Sequence, residues 1–136
     1  MDRPSALDLA FLDLETPQAP LHVGWTLRFG GPAPPVAALR LHLDARLGAV
    51  PRFRRRLVRP AVGAGPFWAD DPGFDVARHV FGVALRSPGE LRAIAGMLLS
   101  RPLPDDRPLW RMYLVDGDAD GFAIVGQAHH ALIDGV

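Results

Sequence analysis

LWRMYLVDGDADGFAIVGQAHHALIDGV, residues 109–136, decides the fold. In its first run Trp110, Met112 and Leu114 alternate. A Gly/Asp-rich turn follows, and then a second apolar run, GFAIVGQAHH. Two such runs about a short turn predict an antiparallel hairpin. Side chains of a strand point alternately to opposite faces. That period puts His130 with Phe122, Ile124 and Ala128, and His129 with Val125 and Gln127. Two adjacent strand histidines cannot both serve one small centre. If one faces a cavity, the other packs or hydrogen-bonds behind it. Asp134-Gly135 then marks a turn or the first turn of a helix, where the Asp fixes loop geometry through the backbone or pairs with an Arg.

Upstream, SPGELRAIAGMLL (87–99) is the strongest helix signal. Ser87 is placed to cap it, Pro88 fits its first turn and Glu90 completes a capping box. Leu91, Ile94, Ala95 and Leu98 line one face. FDVARHVFGVAL (74–85) reads as strand. GAGPFWADDPG (63–73) is turn-rich, with Phe67 and Trp68 as a buried pair, and PRFRRRLVRP (51–60) is basic and extended. PVAALRLHLDARLG (35–48) predicts a helix with Pro35 at its start, Val36, Leu39, Leu43 and Leu47 on one stripe, and Gly48 as its stop. LHVGWTLRF (21–29) alternates as a half-buried strand, with Leu21, Val23, Trp25, Leu27 and Phe29 on one face. Ser5 caps a short helix over Ala6 to Leu12, with Asp8 at its third position. Strands and helices alternate, so the class is α/β or α+β.

The 136 residues are one domain of ordinary size. Hydrophobic residues make up 49% and charged ones 22%, enough apolar matter for a core and too much for disorder. Fifteen acidic residues balance fifteen basic ones, which argues against a nucleic-acid partner. There is no Cys, hence no disulfide, thiolate nucleophile or Cys-based zinc site. MDRPSALDLA lacks the basic start and apolar run of a signal peptide, and AIAGMLL and FAIVG are far too short to span a membrane. The expected location is cytoplasmic. DGDADG (116–121) imitates the opening of a calcium loop, but Gln127 stands where the bidentate Glu belongs, so a solvated turn is expected. No metal site is expected: His130 with Asp134 gives too few ligands. Arg52, Arg54, Arg55, Arg56 and Arg59 read as a solvated strand face. The competing reading is attraction to anionic lipid headgroups, worth ~1 kcal/mol per basic residue.

HHALIDG (129–135) fits the HHxxxDG motif of the CoA-dependent acyltransferase superfamily, which includes chloramphenicol acetyltransferase-like enzymes and the condensation domains of peptide synthetases. ALDLAFLDLETPQAPLHVGWTLRF (6–29), PRFRRRL (51–57), FDVARHV (74–80) and RPLPDDRPLW (101–110) narrow the likeness. Taken together, the chain resembles the bacterial wax ester synthase/diacylglycerol acyltransferase family over its whole length. The resemblance implies a chloramphenicol acetyltransferase-like half-fold, a mixed sheet flanked by helices. It makes residues 1–136 the N-terminal domain of a two-half enzyme, ending just past the motif, with the C-terminal half absent.

The implied activity is O-acyl transfer from acyl-CoA, a co-substrate with no bound cofactor, to diacylglycerol or a long-chain alcohol. By match His130 is the general base, His129 a supporting motif residue, Asp134 structural and Gly135 the motif turn. Peripheral contact with a membrane or lipid-droplet surface accompanies such substrates. An inactive remnant of such an enzyme and a condensation-type domain stand as alternatives. The residue inventory agrees with direct attack by the alcohol: Ser5, Ser87 and Ser100 are the only serines, and none sits in a G-x-S-x-G elbow. A histidine near its reference pKa of ~6.5 suits general-base work at neutral pH. Trp25 and Trp110 read as core, and the roles of His22 and His79 stay open.

Overall fold

The computed structural model describes residues 2–133. Asp134 and Gly135 lie outside them. The elements in chain order are α1 (Ala6–Leu14), β1 (His22–Gly30), α2 (Val36–Asp44), β2 (Arg55–Val58), β3 (Phe67–Asp70), β4 (Val80–Ala84), α3 (Leu91–Leu99), β5 (Trp110–Asp118), β6 (Gly121–His129) and α4 (His130–Ile133). β1, β6, β5 and β4 form one sheet in that order, and β2 pairs with β3 in a separate ribbon. β1/β6 and β6/β5 are antiparallel, whereas β5/β4 is parallel and bridged by α3. This is the mixed sheet flanked by helices that the resemblance implies.

The hairpin is as expected. A bulge near the end of β5 puts Gly117 at φ 95°, with Asp116 Oδ1 accepting its N–H, and the turn puts Ala119 at φ 52°. Because β5 and β6 are the central strands, they are buried on both faces over Tyr113–Val115 and Val125–His129. On one face Tyr113, Val115, Ala123 and Val125 pack against Leu91, Ala95 and Leu98 of α3. On the other Trp110, Ala128 and Val80 pack with Leu47, Trp68, Leu109 and Leu132, and Leu39 and Leu43 of α2 close that layer. Arg40 of α2 ties the outer strand β4 with two hydrogen bonds to the Val80 carbonyl, at 2.7 and 2.9 Å.

Ser5 caps α1 with a full capping box. The Asp8 N–H donates to Ser5 Oγ at 3.1 Å, and the Ser5 N–H donates to Asp8 Oδ2 at 2.8 Å. The expected box at Ser87 is not built. The Ser87 side chain makes no cap bond, and Glu90 accepts instead from the Arg86 N–H at 3.0 Å. Pro88–Glu90 form a separate 3₁₀ turn before α3. The helix expected to run to Gly48 stops at Asp44, and Leu47–Ala49 turn back so that Leu47 is buried. In 51–60 only Arg55–Val58 are strand, and Pro51–Arg54 coil into a 3₁₀ turn. In 74–85 Asp75 caps the turn Val76–Arg78, and the strand begins only at Val80. Of the pair Phe67 and Trp68, Trp68 alone is fully buried.

Candidate active site

The motif lies where β6 ends and α4 begins. His129 is the last residue of the strand and His130 the first of the helix. The strand-face expectation for His130 therefore fails. Its N–H donates to the Leu21 carbonyl at 3.1 Å, but the chain is already coiling, and its ring stacks on Phe11 of α1 with centroids 4.7 Å apart. His130 is half-buried. Among the described residues, no hydrogen bond ties either of its ring nitrogens.

His129 is the opposite case. It is 1% exposed. Its N–H donates to the Leu109 carbonyl at 2.9 Å, which ties it to the Pro108-Leu109-Trp110 stretch. Nδ1 accepts the Ala131 N–H at 3.0 Å, and Nε2 lies 3.1 Å from Glu15 Oε2 in a close but poorly aligned contact. An acceptor at Nδ1 carries no proton, so the neutral ring has its hydrogen on Nε2, facing the carboxylate. Burial is the largest influence and lowers the His129 pKa below the ordinary value. The Glu15 carboxylate opposes this without reversing it. Nδ1 of His129 is thus hydrogen-bonded, while Nε2 faces the Glu15 carboxylate without hydrogen-bond alignment.

Glu15 follows α1 in extended conformation, which turns its side chain inward. Its Oε2 also accepts the Leu21 N–H at 2.8 Å. A cavity of about 390 Å³ opens beside this group, with Leu12, Leu57, Leu103 and Leu109 as apolar lining and Arg59 and Asp105 adding charge. That volume lies within the range of small-molecule sites. The loop carrying Leu103 is held by a polar layer on β5 and β6. Arg111 donates to Gln127 Oε1 at 2.9 and 3.0 Å and to the Pro102 carbonyl at 3.2 Å, while Gln127 Nε2 donates to the Arg101 carbonyl at 3.0 Å. His22 adjoins this layer, its Nε2 hydrogen-bonded to the Leu99 carbonyl and 3.2 Å from Gln127 Nε2.

The other candidates fall elsewhere. His79 is a core residue: its Nδ1–H donates to the Trp110 carbonyl at 2.9 Å, its ring stacks between Trp110 and Phe74, and burial lowers its pKa. Trp110 is buried, and its Nε1–H donates to the Phe53 carbonyl at 2.8 Å. Trp25 lies over Gly126, where a Cβ would fall inside the indole. The basic run is largely paired within the fold. Arg52 and Arg55 meet Asp2, Arg55 also meets Asp70, and Arg54 lies over Phe74. Arg59 alone of the five reaches the cavity. Among the described residues no group of three His, Asp or Glu stands where it could hold a metal ion. Sequence reasoning missed Glu15, Phe11, Arg111 and Gln127 as parts of the site. Glu15 and Phe11 carry no periodic signal, and their partners stand more than a hundred residues away.

Residues 5–136 match the wax ester synthase/diacylglycerol acyltransferase catalytic domain. A probable diacylglycerol O-acyltransferase of Mycobacterium tuberculosis, tgs3, is 39% identical over 98% of the chain and 52% of its own length. A second from that organism, tgs1, is 37% identical over the whole chain and 31% of its own. The chain thus spans a third to a half of these relatives. The solved wax ester synthase/diacylglycerol acyltransferase of Marinobacter aquaeolei superposes with a TM-score of 0.83 at 31% identity, over 99% of the chain and 34% of that protein. A starter condensation domain of rhizomide synthetase superposes with a TM-score of 0.75 at 14% identity, over 98% of the chain and 34% of that domain, a likeness of fold alone.

Proposed function

The chain belongs to the wax ester synthase/diacylglycerol acyltransferase family, and from that premise we propose that it supplies the motif-bearing N-terminal part of an O-acyltransferase with His130 as general base. The donor in this reading is a fatty acyl-CoA, and the acceptor is diacylglycerol or a long-chain alcohol. The observation that carries it is the unequal state of the two motif histidines. His129 is buried, with Nδ1 hydrogen-bonded to the Ala131 N–H and Nε2 turned to the Glu15 carboxylate 3.1 Å away. His130 has a ring that is partly open and free of such bonds among the described residues.

His130 takes the hydroxyl proton as the alcohol oxygen forms its bond to the thioester carbonyl carbon. The C–S bond then breaks, and the departing CoA sulfur takes the proton from the imidazolium. No enzyme-bound acyl group is needed. Two of the three serines are engaged, Ser5 as a cap and Ser100 through its Oγ, which donates to the Met97 carbonyl at 2.7 Å, while Ser87 makes no cap bond. Asp134 and Gly135 complete the motif in sequence and lie outside the described residues. Both substrates are lipids, so the reading includes peripheral contact with a membrane or droplet surface. No described helix is long and apolar enough to cross a membrane.

The test joins this chain to the remaining half of tgs3 and measures transfer from a long-chain acyl-CoA to diacylglycerol and to a fatty alcohol. His130→Ala should lose about 10²-fold or more of kcat while acyl-CoA binding persists. His129→Ala should be milder. Greater damage from His129→Ala would unseat His130 as base, and no transfer by the unmutated fusion to any alcohol would sink the acyltransferase reading.

A further inference from the structure

We infer that Glu15 is a positioning residue of this site, whose carboxylate fixes His129 and, through it, the turn that presents His130. The catalytic part of this inference rests on the reading above, whereas the geometric part stands without it. One oxygen, Oε2, meets two partners on different elements: the Leu21 N–H at 2.8 Å and His129 Nε2 at 3.1 Å. The Leu21 carbonyl accepts the His130 N–H at 3.1 Å. Leu21 is therefore held by Glu15 on one side and by the motif on the other. His129 closes the ring, since its Nδ1 accepts the Ala131 N–H at 3.0 Å. Four contacts thus join the end of α1, the start of β1 and the β6–α4 turn.

The chemistry at each end of the His129 ring is complementary. A backbone N–H at Nδ1 requires a lone pair there, and a carboxylate 3.1 Å from Nε2, though not aligned for a hydrogen bond, attracts a proton to that nitrogen. Each contact selects the same tautomer, so Glu15 is the second of two constraints on one ring. A residue that served only to end α1 would have no effect on His129. Glu15 is about one-third exposed at its side chain and lines the cavity, so it is also reachable from the space in which a substrate would sit.

The experiment uses the full 136-residue chain with ¹⁵N-labelled histidine and reads the ring nitrogens by NMR near pH 7.5. The unmutated chain should show His129 as the Nε2–H tautomer; an Nδ1–H tautomer there overturns the inference with no mutant needed. Glu15→Gln keeps an oxygen that accepts from both partners and should keep that tautomer. Glu15→Ala should mix the tautomers. It should also shrink the ring-current shift that Phe11 imposes on the His130 ring at 4.7 Å. Unchanged His129 and His130 signals in a folded Glu15→Ala chain overturn the role, as does a Glu15→Gln chain that resembles Glu15→Ala.

In the tgs3 fusion, Glu15→Ala should lower kcat about tenfold or more with the KM for acyl-CoA held, because a misplaced base costs rate rather than binding. Glu15→Gln should recover most of it. A fusion that transfers nothing, while the ring signals behave as stated, removes the acyltransferase reading and upholds the positioning role.

Discussion

The two ends of the four-stranded sheet are built from the same strands and finished in different ways. At one end the start of β1, the end of β6 and the start of β5 carry His22, His129, Gln127 and Arg111. There polar atoms are engaged across elements by α1, α3 and the loop at Arg101–Pro102. At the other end Leu27 is 50% and Phe29 42% exposed, Phe29 stacks on Phe122 at 5.1 Å, and the exposed Arg28 reaches Asp118 at 3.0 Å. β1 runs through both ends with one unbroken alternation. The pattern therefore states which side chains share a face, and it does not state where the covering layer stops. α2 and the β2–β3 ribbon cover Val80, Trp110 and Ala128, and among the described residues nothing covers Leu27 and Phe29.

The contrast is broken most severely at Trp110. Trp110→Ala removes the plate between His79 and Phe53 and leaves a cavity at the site end, which should cost ~3–5 kcal/mol in denaturant unfolding. Gly126→Ala attacks the same end by crowding. Its new Cβ collides with Trp25, for about 1–3 kcal/mol and a change in indole fluorescence.

Acid should weaken the site end further. His79 and His129 both have pKa values lowered in the fold, chiefly by burial. As pH falls through ~6.5 the unfolded chain takes up protons that the folded one still refuses. Stability is full above that pH and declines below it, until the folded histidines titrate as well. Guanidinium midpoints at pH 7.5 and 5.0 read the loss, and equal midpoints would contradict the buried neutral state of the two rings. The smallest effect belongs to the open end. Leu27→Ser with Phe29→Ser should cost under about 1 kcal/mol, since both are already half in water, while reducing self-association in sedimentation. A larger loss of stability would mean that the open end is as tightly finished as the closed one.

Local pattern was enough for the hairpin, β1, α1 and the buried face of α3, because each declares itself within about ten residues. It was not enough where a distant group decides. The AHHALI stretch carries no Gly, Pro or Asp that would mark the end of β6. What ends the strand after His129 is the Leu21 carbonyl taking the His130 N–H and the His129 ring taking the Ala131 N–H. Ser87 and Glu90 have the right spacing for a capping box, but the chain turns one residue early and Glu90 serves Arg86. Glu15 is an ordinary acidic residue after an ordinary helix, and its meaning comes only from Leu21 and His129. The motif histidines were thus legible as a pair, while the different surroundings of their two rings required the fold.

The pairing of β1 with β6 has a consequence for synthesis. His22 stands opposite His129, partners separated by about a hundred residues of chain. A ribosome making ~5–20 residues per second needs roughly 5–20 s to cover that distance. Throughout that interval β1 waits with neither neighbour nor sheet, and its Val23, Trp25, Leu27 and Phe29 are open to any chaperone that binds extended apolar segments. The hairpin β5–β6 closes locally, and only then does it offer β1 an edge. The ring of contacts through Glu15, Leu21, His129 and Ala131 consequently cannot form until the chain has been made past Ala131, and it is among the first to be lost if β1 peels away.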